Sequence, residues 1–283
     1  MRWQDSRRSS NVEDYRGSRF GGTGLKLGVG GTLVALVAGY FLGIDPSVIL
    51  GLSQSLPSGP APEAREGVPQ DEQGQFISAV LGETEDTWTA IFQANGRQYE
   101  PPRLVLYNDQ VQSGCGFASS AVGPFYCPAD HKVYLDLGFY DELKTRFAAP
   151  GDFAQAYVLA HEVGHHVQTL LGTEDKVRAA QSRASEVQKN QLQVGMELQA
   201  DCYAGVWAHN ADTARHIIEQ GDVAEALAAA SAVGDDTLQK RTQGHVVPDS
   251  FTHGTSAQRM SWFKRGLDGG RVENCDTFSM PLR

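Results

Sequence analysis

Residues 158–172, VLAHEVGHHVQTLLG, place two histidines and a glutamate in an otherwise apolar stretch. His161 and His165 are four positions apart, so on a helix they lie about 40° apart on one face and can bind one ion together. Glu162 lies beside the first histidine but is turned away from their shared edge, where it can reach a water on the metal without binding the metal. This is the H-E-x-x-H pattern, in which the imidazoles bind zinc and the glutamate acts as general base.

The alternative for this stretch is a core helix whose histidines are satisfied by hydrogen bonds. Apolar residues surround the motif, at Ala156, Val158, Leu159, Val163, Val167 and Leu170. They would carry the polar groups into the interior, where each needs a partner, and a metal would supply one. His166 is rotated about 140° from His161, and we interpret it as a structural or surface histidine rather than a ligand.

A catalytic zinc has three protein ligands and one open position for water. The position ten residues after His161, where the metzincin pattern has its third histidine, is Leu171. Glu197 and Asp201 lie four positions apart on one face of the apolar segment MELQADCYAGVWAH (196–209). We therefore predict that Glu197 is the third ligand and that Asp201 accepts a hydrogen bond from the ring of His161. The alternative is a helix with an exposed acidic edge.

Together these segments resemble the neutral zinc metallopeptidases of bacteria, a family within the gluzincin group of metalloproteases. The resemblance rests on HEVGHH, on ELQADCYAG, on CGFASSAVGPFYCPADHKVYLD (115–136) and on FTHGTSAQR (251–259), and it covers roughly residues 70–280. The opening MRWQDSRRSSNVEDYRG also looks like the N-terminus of that family.

The resemblance implies a zincin-like, minigluzincin-type α+β fold, mostly helical with a small antiparallel-edged sheet, which binds one Zn²⁺ per chain through His161, His165 and Glu197. It implies a metalloendopeptidase in which Glu162 assists the attack of a zinc-bound water on a peptide or protein substrate. Related zincins stabilise the oxyanion with a histidine or tyrosine that follows the ligand helix. By that resemblance His253 is the expected oxyanion-stabilising residue. Arg259 is expected to support it, and the alternative is a loop histidine with a helix-surface arginine.

Two other classes of function are compatible with a zinc site. One is a zinc-stabilised, membrane-tethered chaperone or assembly factor with weak or no proteolysis, and the other is a metal sensor. The presence of Glu162 favours the peptidase, because a structural site does not need that carboxylate beside the metal.

Composition limits the remaining classes. The 283 residues allow one sizeable domain with appendages, and the 41% of hydrophobic residues is enough for a packed core. The net charge of -10 argues against a nucleic-acid partner.

Residues 27–44, LGVGGTLVALVAGYFLGI, carry no charge and approach the ~20 residues that cross a bilayer. Basic residues precede this stretch, at Arg2, Arg7, Arg8, Arg16, Arg19 and Lys26, whereas only Asp45 lies between it and Glu63. The positive-inside rule then predicts a single-pass anchor in the bacterial inner membrane, with the N-terminus cytoplasmic and the rest extracytoplasmic, which in a Gram-negative cell is periplasmic. The alternative is a cleaved signal peptide.

The chain is thus expected to have four segments. These are a basic cytoplasmic segment (1–26), a transmembrane helix (27–44), a flexible Pro- and Gly-rich linker (45–74) and a zinc metallopeptidase domain (75–283).

Within the domain, apolar residues from Ile77 to Phe92 recur at helical spacing, and Asn95-Gly96 would end that helix. RLVLY (103–107) predicts a strand, and PFYC and KVYLDL predict two more strands joined by a turn. In zincin folds an edge strand beside the motif helix lines the cleft, and we expect Val133 to Leu137 to form it. The alternative is an ordinary sheet strand.

Four cysteines in a segment placed outside the cytoplasm favour disulfides, and four cysteines allow three pairings. Cys115 and Cys127 flank a loop that contains Gly and Ser, with Pro128 fixing its exit, so we pair them. That leaves Cys202 with Cys275, although a thiolate zinc ligand at Cys202 is an alternative.

Overall fold

The computed structural model describes residues 1–17 and 63–279. In this part of the chain the strands are β1 (Val12–Asp14), β2 (Arg65–Glu66), β3 (Arg103–Tyr107), β4 (Gln110–Ser113), β5 (Gly116–Ser119), β6 (Phe125–Cys127) and β7 (Lys132–Asp136). The α-helices are α1 (Glu72–Ala94), α2 (Gly138–Thr145), α3 (Asp152–Leu171), α4 (Thr173–Gln181), α5 (Glu186–Arg215), α6 (Asp222–Ala232), α7 (Asp235–Gln243) and α8 (Ser256–Gly269). The expected architecture, mostly helical α+β with a small sheet, is confirmed.

The main sheet has the strand order β2-β1-β3-β7-β6. Its inner pairs β1–β3 and β3–β7 are parallel, whereas the outer strands β2 and β6 pair antiparallel with their neighbours. The prediction of antiparallel edges is therefore correct. The prediction that Val133 to Leu137 line the cleft is wrong, because β7 is an inner strand with three buried residues and β6 is the edge strand.

Helix α1 follows the predicted periodicity and ends where the sequence indicated. Asp71 caps its first turn by accepting a hydrogen bond from the Gly74 amide, and Asn95 follows its last residue. The helix starts at Glu72 and β2 precedes it, so the folded domain includes residues that the sequence assigned to the linker.

The N-terminal residues belong to the same folded unit as the rest of the described chain. Strand β1 pairs with β3 in the register Val12 to Leu104, and Met1 is 4% exposed. Ser9 and Ser78 exchange hydrogen bonds between the N-terminal segment and α1, at 2.9 and 2.6 Å. Residues 1–16 are therefore not the separate segment that the charge pattern predicted.

This pairing bears on the predicted membrane topology. A chain that crosses a bilayer once puts the residues before and after the crossing on opposite sides, whereas β1 and β3 are hydrogen-bonded neighbours. The arrangement with the N-terminus inside and the domain outside is incompatible with this sheet. No helix in residues 1–17 and 63–279 is long and apolar enough to span a membrane, and the stretch 27–44 lies outside the described residues.

Two close helix crossings organise the helical part. Helix α5 packs most extensively against α8, where a Cβ on Gly266 would lie 1.9 Å from the carbonyl oxygen of Cys202. Helices α3 and α5 cross at Gly164, where a Cβ would lie 3.0 Å from the carbonyl oxygen of Ala200. The second crossing brings the two helices with the predicted ligands into contact.

Both expected disulfides are present. Cys115, just before β5, pairs with Cys127 at the end of β6, and Cys202 on α5 pairs with Cys275 near the C-terminus. Cys202 is therefore not a thiolate ligand.

Candidate metal centre

Helix α3 holds the H-E-x-x-H motif in a buried setting. The Glu225 carboxylate accepts a hydrogen bond from the Phe153 amide at its first turn, and Gly172 ends it with φ +73°. The rings of His161 and His165 lie 4.8 Å apart between centroids, on the same face as their spacing predicted.

Glu197 on α5 meets both histidines. Its Oε2 lies 3.2 Å from His161 Nε2, and its Oε1 lies 3.7 Å from His165 Nε2. The three side chains place one ligand atom each within 4.8 Å of one another. The structure thus brings together the three residues that the sequence proposed as ligands.

This donor set fits a zinc ion. Ligand atoms at ~2.1 Å from a tetrahedral zinc are ~3.4 Å apart, which is close to the separations at Glu197. Two imidazoles and one carboxylate are a known set for catalytic zinc, which leaves a fourth position for water.

The electrostatics of the site also favour a cation. Burial lowers the pKa of His161, but the carboxylates of Asp201 and Glu197 outweigh it and raise this pKa to about 9. Burial raises the pKa of Glu197, yet His165 and His161 hold it well below its usual range. The protein therefore surrounds the two rings with negative charge that a metal can neutralise.

Asp201 orients the first histidine from the side away from the ligand atoms. Its Oδ1 accepts a hydrogen bond from His161 Nδ1 at 2.8 Å, which leaves Nε2 free to face the metal position. Arg259 donates to both oxygens of Asp201, at 2.7 and 2.8 Å, and the Tyr157 hydroxyl also donates to Asp201. Arg259 is 3% exposed and is therefore not a helix-surface residue.

Glu162 faces a cleft beside the three candidate ligands. It is 8% exposed, and the cleft has a volume of about 580 Å³. The loop before β6, the edge strand itself and the second half of the domain contribute to its wall. The lining includes Val122, Pro124, Phe125, Tyr126, Phe139, Phe147, Tyr157, Leu238 and His253.

His253 lines the same cleft and is held by a residue that the sequence analysis missed. Its backbone amide donates to Asp235 Oδ2 at 2.6 Å, and its Nδ1 lies 3.2 Å from Asp235 Oδ1. The hydrogen bond to Asp235 is the largest cause of the raised pKa of His253. Asp235 stands 18 positions before His253 and belongs to no spacing motif, so only the fold reveals this pair.

His166 points away from the candidate ligands. Its Nε2 lies 2.6 Å from the Glu100 carbonyl oxygen and its Nδ1 lies 3.1 Å from the Tyr126 hydroxyl. Burial lowers its pKa to about 4, so it is neutral and structural.

A second acidic group lies at the start of α3. Asp152, Asp222 and Glu225 converge there. The α-ammonium of Met1 binds Asp152 at 2.7 Å and Asp222 at 3.3 Å. This group therefore has a cation from the protein itself.

Comparison with known proteins identifies the family. The family model described as "Putative neutral zinc metallopeptidase" matches residues 1–278. The chain belongs to this family. It is 52% identical over 292 residues to the uncharacterised protein YpfJ of Escherichia coli strain K12, with all of both chains covered.

Mycobacterial relatives are less similar and match over a smaller share of the chain. The chain is 40% identical over 256 residues to the uncharacterised proteins Mb2605 of Mycobacterium bovis and Rv2575 of Mycobacterium tuberculosis H37Rv, with 84% of each chain covered. No solved structure gives a significant match. At the level of its family, the chain is a zinc metallopeptidase, as the sequence resemblance implied.

Proposed function

We propose that this chain is a zinc-dependent endopeptidase whose metal is held by His161, His165 and Glu197. The observation that carries the proposal is the convergence of these three ligand atoms within 4.8 Å at a cleft that also contains Glu162. A purely structural zinc site would be closed by a fourth protein ligand and would need no free carboxylate beside it.

A zinc ion in this site would lower the pKa of a bound water to about 7 and polarise a substrate carbonyl. Glu162 accepts the proton of the attacking water and transfers it to the leaving amine as the peptide bond breaks. Asp201, with Arg259 behind it, keeps His161 in the tautomer whose Nε2 is free of hydrogen.

His253 is the candidate oxyanion donor. Asp235 fixes the backbone and one ring nitrogen of His253, so the other nitrogen can present an N–H to the cleft. A donor held in place before the reaction stabilises developing negative charge without reorganisation. Arg259 does not share this role directly, because its guanidinium is committed to Asp201.

The substrate class is an extended peptide or protein segment. Strand β6 is an edge of the main sheet, and Phe125 and Tyr126 from this strand line the cleft. An edge strand offers main-chain groups that pair with an added extended peptide. The apolar part of the lining, including Val122 and Phe139, favours substrates with apolar side chains near the cleaved bond.

The compartment we propose is outside the cytoplasm of a bacterial cell. The two disulfides support it, since such bonds persist in oxidising environments. Residues 1–16 then lie on the same side as the domain because they share its sheet.

The test compares Glu162→Gln with the wild type on a mixture of unstructured peptides, with zinc content measured on the same samples. The variant should keep its zinc and lose at least about 100-fold in turnover, since proton transfer by a positioned carboxylate contributes roughly that much. Glu186→Gln is the control, because Glu186 is an exposed residue at the start of α5. Equal turnover by Glu162→Gln and the wild type would overturn the assignment of the general base.

A further inference from the structure

The second metal histidine is held by a residue that no motif indicates. His165 Nδ1 lies 2.9 Å from Oε1 of Gln168, one helical turn further along α3. Gln168 is fully buried, so its amide needs hydrogen-bond partners in its immediate surroundings.

The amide of Gln168 has only one orientation that satisfies its neighbours. Its Nε2 donates to the Met196 carbonyl oxygen at 2.8 Å and to Gln199 Oε1 at 3.1 Å. If the amide were flipped, its oxygen would face these two acceptors. Gln168 Oε1 therefore faces His165, where it can only accept a hydrogen bond from Nδ1–H.

The orientation of Gln199 is fixed in turn. Its Nε2 donates to the carbonyl oxygen of Cys275 at 2.9 Å, and it is 6% exposed. Since a backbone carbonyl can only accept, the oxygen of Gln199 must face Gln168. Each amide of the pair thus has its donor and acceptor ends assigned by a fixed group.

A disulfide fixes the position of Cys275, the last residue in this series of hydrogen bonds. Cys275 is joined to Cys202, three positions after Gln199 on α5. The Thr277 hydroxyl also donates to the Gly195 carbonyl oxygen at 2.7 Å, so residues around Cys275 lie along the helix. The disulfide keeps the Cys275 carbonyl in contact with the helix that carries Glu197.

We propose that Gln168 and Gln199 form an amide relay that holds His165 as its Nδ1–H tautomer, and that the Cys202–Cys275 disulfide fixes the outer end of this relay. The proposal rests on the proposed zinc site, because a ring protonated at Nδ1 presents a free Nε2 to a metal. The two histidines are then oriented differently, His161 by the carboxylate of Asp201 and His165 by neutral amides. Gln168 and Gln199 are positioning residues and touch no substrate.

The first test is zinc affinity of the full chain, measured by competition with a chromogenic chelator. Gln168→Met and Gln199→Met should each raise the zinc dissociation constant about 10-fold or more, in the range seen when partners of ligand histidines are removed. The Gln199→Met variant is the decisive one. Gln199 does not contact His165, so a loss of zinc affinity would have to pass through Gln168. The control is Gln181→Met, whose amide donates to the Lys189 carbonyl oxygen away from the site, and which should bind zinc like the wild type.

The second test removes the covalent anchor. Cys202→Ala/Cys275→Ala should weaken zinc binding, whereas Cys115→Ala/Cys127→Ala, which removes the other disulfide, should not. Adding Gln199→Met to the first pair should cause little further loss, since substitutions in one network are not additive. Nitrogen NMR of the zinc-loaded wild type should show His165 protonated at Nδ1.

The outcomes separate the relay from the proposed function. A wild-type chain that binds zinc, together with a folded Gln199→Met variant that binds it equally tightly, would overturn the relay and leave the zinc site standing. Fully additive losses would also overturn it, because they would place Gln199 and the disulfide in independent networks. A wild-type chain that binds no zinc would overturn the proposed function itself.

Discussion

At the scale of residues, Asp201 shows how a fully buried carboxylate stays ionised in this site. The carboxylate has no exposed surface, and burial alone would raise its pKa, yet Arg259 and His161 lower that pKa to about 2. A buried carboxylate that stays ionised fixes the ring it binds, because the histidine must donate its Nδ1–H. Arg259 therefore acts on the metal site through its two hydrogen bonds to Asp201.

The pair of His253 and Asp235 gives a pH prediction. Asp235 raises the pKa of His253, so the ring stays protonated to a higher pH than an ordinary histidine. Asp235→Asn should lower this pKa. If the protonated ring stabilises the oxyanion, kcat/KM falls as pH rises through the pKa, and this alkaline limb should move to lower pH in the variant.

The measurement is a pH profile of kcat/KM for the wild type, Asp235→Asn and Asp249→Asn. Asp249 is an exposed acid in a neighbouring turn and should leave the profile unchanged. An alkaline limb that stays in place in Asp235→Asn would exclude His253 as the group that titrates there.

At the scale of elements, the site depends on how closely α3 and α5 approach. Gly164 lies between the two histidine ligands in sequence, and it faces the backbone of α5 near Ala200. The absence of a side chain there lets Glu197 reach both rings. The crossing of α5 and α8 at Gly266 is tighter, and it places Arg259 on α8 behind Asp201 on α5.

These two crossings predict a rank order of stability. Gly164→Ala should lower the free energy of unfolding by about 1–3 kcal/mol, the usual cost of overpacking, since its Cβ would meet Ala200 at 3.0 Å. Gly266→Ala should cost more, because its Cβ would lie 1.9 Å from a backbone oxygen that cannot turn aside. Urea denaturation measures both, and a Gly266→Ala protein as stable as Gly164→Ala would contradict the packing described here.

Elements also show what the sequence could predict. Helix α1 was predictable because its apolar spacing and its end at Asn95 are local signals. The ligands His161 and His165 were predictable from a spacing of four within one helix. Strand β1 was not, because its three residues have no period of their own and become a strand only through pairing with β3.

The residues that orient the site's histidines also differ in whether the sequence could predict them. Asp201 could be predicted because it lies four positions from Glu197 on the same helix. Asp235 and Gln199 could not be assigned, because their partners come from elements distant in sequence. Gln168 lies only three positions from His165 on α3, but the groups that fix the orientation of its amide lie on α5. Ordinary polar residues in such places carry no spacing signal.

At the scale of the whole molecule, residues 1–16 and the domain that begins at residue 65 belong to one folded unit. Residues 1–16 contribute a strand to the domain, and Arg16 forms an ion pair with Asp71 at 2.7 Å. Charge counting placed residues 1–26 across a membrane because it treats the segments on each side of an apolar stretch as independent. Because β1 pairs with β3, residues 1–16 must lie on the same side of a membrane as the domain.

This arrangement predicts that both segments are labelled alike by a membrane-impermeant thiol reagent. Asp5→Cys and Glu186→Cys place single thiols at exposed positions, and the described cysteines are all in disulfides. In spheroplasts with an intact inner membrane both should react. Reaction at position 186 with protection at position 5 would restore the single crossing, and protection of both would place the domain in the cytoplasm.

The central claim is that one zinc ion binds between α3 and α5, and a crystal of the zinc-loaded chain measured at the zinc absorption edge tests it most directly. The account predicts one anomalous peak per chain, within about 2.0–2.2 Å of His161 Nε2, His165 Nε2 and a carboxylate oxygen of Glu197. A peak at the acidic group around Asp152, or no peak at all in a protein that hydrolyses peptides, would contradict it.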